Sequence, residues 1–92
     1  MDIRDTGAII KVLNEAGGED VTTYRIETFR MDRVSPKHGH QKVTVTIRDR
    51  GPGNPPRYHV LAQTPEGKCC TGNPNDDLEV ALRTVHWFEF DK

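Results

Sequence analysis

The sequence predicts an α+β domain: an antiparallel meander of three strands, with room for a short fourth, and two helices on one face of the sheet, in the order α-β-β-β-α. Three observations predict it. Apolar residues near the start recur at helical spacing, the middle alternates apolar with polar residues, and the end returns to helical spacing behind acidic start signals. At 92 residues the chain is long enough to bury one core and too short to divide, so residues 1–92 are read as a single domain.

The first helix is read from Asp2 to Ala16. Ile9, Val12, Leu13 and Ala16 form its apolar stripe, Asp2 or Asp5 supplies an N-cap, and Gly17-Gly18 ends it. Tyr24 to Val34 follows as a strand. Ile26 and Phe29, three apart, cannot share one face of a regular strand, which predicts a bulge near Glu27-Thr28; without one, Phe29 and Met31 face away from Tyr24 and Ile26.

In the second strand Val43, Val45 and Ile47 point one way and Thr44, Thr46 and Arg48 the other. The third runs over Arg57 to Gln63, and Pro65-Glu66-Gly67 turns the chain toward an extension over Lys68 to Thr71. Ser35 to His40 and Gly51 to Pro56 are loops by their turn residues. For the last helix, Asn73 is the expected cap and Pro74 suits the first turn. Asp76, Asp77 and Glu79 complement the helix dipole, and Leu78, Ala81, Leu82 and Val85 form the buried stripe.

Composition excludes several function classes. Hydrophobic residues make up 34% and charged residues 29%, thin for a globular core and suited to a partner's help. No apolar run is long enough to cross a bilayer and the N-terminus lacks a signal peptide's order, so a cytoplasmic protein with no membrane partner is expected. Adjacent Cys69 and Cys70 suit a reducing compartment. Net charge is −1, but residues 24–50 carry seven basic and three acidic side chains, which concentrates positive charge in the first hairpin.

The α-β-β-β-α order, with Ser35-Pro36-Lys37-His38 leading into a Thr/Val strand, resembles the double-stranded RNA-binding domain and its Pro-x-His loop. The resemblance implies a dsRBD-like fold in which Pro36 and His38 enter a minor groove. Arg30, Arg33, Lys37, Lys42, Arg48 and Arg50 are the cations placed to hold phosphates. The chain departs from that family at its last helix, where Asn75, Asp76, Asp77 and Glu79 stand in place of phosphate-gripping lysines. Tyr58 to Leu82, a strand, a glycine-bearing turn and a helix, is similar to part of the antitoxins called HicB, which implies a domain that masks a small toxin.

No set of residues predicts catalysis. The acids at the last helix are explained by capping, and neither cysteine has a base fixed beside it by the sequence. His38, His40, Cys69 and Cys70 are the one group with soft metal ligands, but their spacing fits no standard zinc site, and no cofactor is expected. What remains is a non-catalytic binding or regulatory module for a protein partner, a second copy of the chain included. Trp87, Phe88 and Phe90 of the aromatic tail, with Phe29 and Met31 of the first strand, are its contact candidates, and Phe90 is preferred as the hardest to bury. Duplex nucleic acid on the basic hairpin is the alternative.

Overall fold

A computed structural model describes residues 1–92. A helix, α1 (Thr6–Ala16), precedes four strands, β1 (Arg25–Ser35), β2 (Gly39–Asp49), β3 (Tyr58–Gln63) and β4 (Cys69–Thr71); a second helix, α2 (Leu78–Arg83), and a 3-10 turn over Trp87–Asp91 complete the chain. The strands form one antiparallel sheet in the order β1-β2-β3-β4. The fold is therefore α+β, and the room left for a fourth strand is filled by Cys69–Thr71. No helix is long and apolar enough to cross a membrane.

The alternation in β2 decides where the core forms. Val43, Val45 and Ile47 are buried, and the residues paired with them in β3, Ala62 opposite Val45 and Val60 opposite Ile47, are buried too. Directly opposed residues of an antiparallel pair share a face, so these side chains and Cys70 of β4 make one apolar surface. Ala81 of α2, Val85 and Phe90 close over it, with Tyr58, Leu78, Leu82 and Trp87 packed around them. Burial of each large member stabilises the fold by about 1.5–3 kcal/mol.

Two close fits hold this lid down. Gly72 lies so near the carbonyl of Ala81 that a Cβ there would overlap it, so only glycine lets the chain pass under α2. Thr84 Oγ1 accepts from the Asn73 N–H at 2.9 Å and donates to the Val80 carbonyl at 2.8 Å, tying the end of α2 to the segment after β4.

At the opposite end of the meander, the β1–β2 hairpin turns through Ser35 to Gly39. Ser35 Oγ accepts from the N–H groups of Lys37 and His38, and Gly39 takes φ 72°, which returns the chain to the strand. α1 begins at an Asp5 cap that accepts from Ala8 N–H at 3.1 Å and ends at Gly17. It packs at the end of the sheet, Ile10 against Gly51 and Gly7 near Pro52. The molecule is drawn out to 48 × 25 × 22 Å with a radius of gyration of 15.5 Å, against about 12 Å for a compact chain of this length.

Three sequence expectations are corrected. No bulge interrupts β1, which pairs with β2 without a break from Arg25↔Asp49 to Ser35↔Gly39. Ile26 and Phe29 lie on opposite faces, and both are exposed because nothing covers either face of the strand between Ile26 and Asp32. The last helix begins at Leu78 with Asp77 as its cap, not at Asn73, since Asn75 is held as an extended bridge to Tyr58 by a reciprocal pair of backbone hydrogen bonds. In α1 the buried residue is Ile10, while Val12 and Leu13 are about half exposed.

Candidate functional site

Sheet edges are where backbone donors and acceptors lie open to a partner, and the two edges here are built differently. At β4 the exposed strand is three residues long, and the outward carbonyl of Thr71 accepts from His86 N–H at 3.3 Å. The chain seals that edge with its own next segment.

The β1 edge is eleven residues long and unsealed. Arg50 N–H donates to the Arg57 carbonyl, so the even positions of β2 turn their backbone groups toward β3 and the odd positions toward β1. By register the odd residues of β1 bond β2, and Ile26, Thr28, Arg30, Asp32 and Val34 present N–H and C=O outward. No turn, cap or side chain of the molecule takes those groups.

The side chains along this edge set four exposed apolar residues, Ile26, Phe29, Met31 and Val34, among five charged ones. On the core face of the sheet, Phe29 is 58% and Met31 37% exposed, beside buried Val45 and Val43 of β2. On the other face, Ile26 is 52% and Val34 66% exposed. Arg25 bonds Glu27 at 2.9 Å, and Arg33 holds Asp91 through two hydrogen bonds of 2.9 and 3.1 Å, so both ends of the apolar stretch carry fixed charge pairs. That Arg33 hydrogen bond is the main reason Asp91's carboxyl sits below its ordinary 3.8.

The aromatic tail divides. Phe90 has no exposed surface and stands 6.1 Å from the Trp87 ring, so it is core and leaves the set of contact residues. The 3-10 turn folds it back under the sheet, a return that the tail's aromatic run does not reveal. Trp87 is half-buried against the same cluster, and Phe88, stacked on His86, is the tail ring that stays 59% exposed.

The basic residues divide as well. Arg30, Lys42 and Arg48 share the face of the sheet opposite the core, with Arg48 stacked over Tyr24 at 5.4 Å. Arg33 points to the core face and is bound to Asp91. Pro36 and Lys37 stand in the hairpin turn, His38 Nε2 donates to the Lys92 carbonyl oxygen at 2.7 Å, and Arg50 leans on the Pro55 carbonyl at 3.5 Å.

The metal candidates do not converge. Cys70 is buried on the core face, where burial pushes its thiol up, and Cys69, one residue away in the same strand, is exposed on the other face. No three His, Cys, Asp or Glu side chains are grouped to hold an ion. Besides Arg33 with Asp91, a second two-bond ion pair joins Arg57 to Asp49, at 2.7 and 3.0 Å. Burial pushes the Asp49 carboxyl up. The Arg57 hydrogen bond, the Gly51 N–H and the charges of Arg57 and Arg25 outweigh that and leave it below 3.8.

Comparisons with family models, with curated proteins and with solved structures return no match.

Proposed function

We propose that this chain is a non-catalytic binding module that takes a protein partner on its β1 edge by strand addition. One observation carries the reading: five consecutive outward-facing backbone positions lie unpaired between exposed apolar side chains on an eleven-residue edge. In strand addition the backbone supplies affinity and alternate side chains supply selectivity. Phe29 and Met31 are the anchors on one face, Ile26 and Val34 on the other, and Phe88 and Trp87 lie outside the contact.

The test is recovery of bound protein by the wild-type chain and by a Phe29→Lys, Met31→Lys variant. Both positions are exposed, so the variant folds, and a partner retained by the wild type and lost by the variant supports the reading. Identical recovered sets contradict it.

A second reading is favoured by the shared placement of Arg30, Lys42 and Arg48 on the uncovered face. There, duplex RNA or DNA would be held through its phosphates, with affinity falling steeply as salt rises. Binding at low salt that Lys42→Glu with Arg48→Glu abolishes would support it, and no binding at low salt removes it.

A further inference from the structure

The β1 edge carries a pattern that selects its own partner. Read outward from Arg30, the middle residue of the strand, the sequence is complementary to itself: Phe29 mirrors Met31, Thr28 mirrors Asp32, Glu27 mirrors Arg33, Ile26 mirrors Val34, and Arg25 mirrors Ser35. Two strands related by a twofold axis perpendicular to the sheet pair antiparallel in this mirrored fashion, with directly opposed residues on one face.

We propose that the occupant of the β1 edge is β1 of a second copy of this chain, antiparallel and centred on Arg30, so that two four-stranded sheets become one continuous sheet. This rests on the strand-addition reading and names the partner of that same edge.

Each part of the edge finds a use in this register. Ile26, Thr28, Arg30, Asp32 and Val34 are the outward-facing positions, and the dyad at Arg30 sets every one of them opposite another outward-facing position, so all their N–H and C=O groups are paired. On the core face, Phe29 of one copy meets Met31 of the other on both sides of the dyad. The four side chains make an apolar cluster continuous with buried Val43 and Val45. On the opposite face, Ile26 of one copy meets Val34 of the other, one apolar pair at each end of the overlap. Glu27, bonded to Arg25, comes opposite Arg33, which is bonded to Asp91, and the row Arg25, Glu27, Arg33, Asp91 alternates in sign across the boundary.

The one unfavourable pair is Arg30 against Arg30. Each has Asp32 of the other copy as its diagonal neighbour on the same face, within reach of a long side chain.

Neighbouring registers lose this complementarity. A dyad at Phe29 puts Ile26 opposite Asp32, Glu27 opposite Met31 and Arg25 opposite Arg33. A dyad at Met31 puts Phe29 opposite Arg33 and Thr28 opposite Val34. The register centred on Arg30 also overlaps the full length of the strand.

Sedimentation over a dilution series tests the proposal. The expected result is twice the 10.4 kDa chain mass, reverting to the single mass in Phe29→Lys, whose melting temperature matches that of the wild type diluted to the single mass. Register is tested by oxidation in a Cys69→Ser background. Arg30→Cys gives a disulfide-linked pair, because opposed residues of a hydrogen-bonded pair lie about 5.5 Å apart. Thr28→Cys does not, because the two copies of that position are offset by about 14 Å along the strand.

A single mass at every concentration overturns the second copy. If a different protein is then recovered through β1, strand addition stands and only the identity of its partner falls. A dimer that survives Phe29→Lys, or that links through Thr28→Cys rather than Arg30→Cys, overturns the interface or its register.

Discussion

The two ends of the sheet treat their apolar residues in opposite ways. From β2 to β4 the inward apolar side chains share one buried cluster with Ala81, Val85 and Phe90, and the outward carbonyl of Thr71 is taken by His86. Along β1 the apolar side chains meet nothing and the outward backbone groups are free. Both ends belong to one ladder, so the difference is one of covering, and covering was built from the C-terminal segment alone. A chain that had no use for the β1 edge could blunt it with charge, proline or a bulge. Here the strand is long and regular, without proline or bulge, and exposed apolar residues stand among its charges on both faces.

This contrast gives the largest expected effect. Phe90→Ala, beneath the covered end, should lower unfolding free energy by about 3–5 kcal/mol in denaturant titration. Phe29→Ala, also a phenylalanine on the core face, should change the stability of the dilute chain by about 0.5 kcal/mol or less. Equal losses at the two positions would mean that β1 is covered as well.

Next in size is the seal over β4. Gly72→Ala drives a methyl into the Ala81 carbonyl and should cost about 1–3 kcal/mol by forcing α2 away from the sheet. Its local signature is faster amide exchange at His86, the donor that closes the edge.

Acid dependence sharpens the boundary between the two ends, where Asp49 joins Arg57. A carboxyl held below its ordinary value contributes stability that is complete above the unfolded value of 3.8 and is lost as pH falls through the lower folded value. Stability of the wild type should therefore be level in this respect near neutral pH and fall on acidification from 3.8 downward. Asp49→Asn should be less stable at neutral pH and show a shallower acid decline, measured by thermal melts across the range.

The smallest expected effect separates neighbours. Cys69 should react with a thiol reagent at the rate of an exposed cysteine, and Cys70 only when the covered end opens, so denaturant should accelerate the second reaction and leave the first unchanged. Matching rates would contradict the covering of β4's inner face.

What the sequence disclosed follows the same division. β2 was legible because Val43, Val45 and Ile47 alternate with polar residues, and a strand buried on one face must read that way. The cap of α1 was legible as Asp2 or Asp5, and the structure gives Asp5, whose carboxylate satisfies a helix N–H that otherwise lacks a partner. β1 misled because the alternation rule assumes one covered face: with neither covered, Ile26 and Phe29 obey no common phase, and a bulge was inferred where the ladder is regular. The start of α2 was hidden because Asn75 finds its partner in Tyr58, far away in sequence. Of the contact candidates, Phe29 and Met31 are exposed and Phe90 is not, since its burial depends on packing against the distant core residues of β2 to β4.

Residue-resolved amide exchange along β1, followed from dilute to concentrated protein, tests the central claim most directly. In dilute solution Glu27, Phe29, Met31 and Arg33 should exchange slowly, and Thr28, Arg30 and Asp32 at nearly unprotected rates. On concentration the second group should become as slow as the first. Even-numbered amides already protected in the dilute chain, or still unprotected in the concentrated one, would contradict a free edge that closes on a second copy.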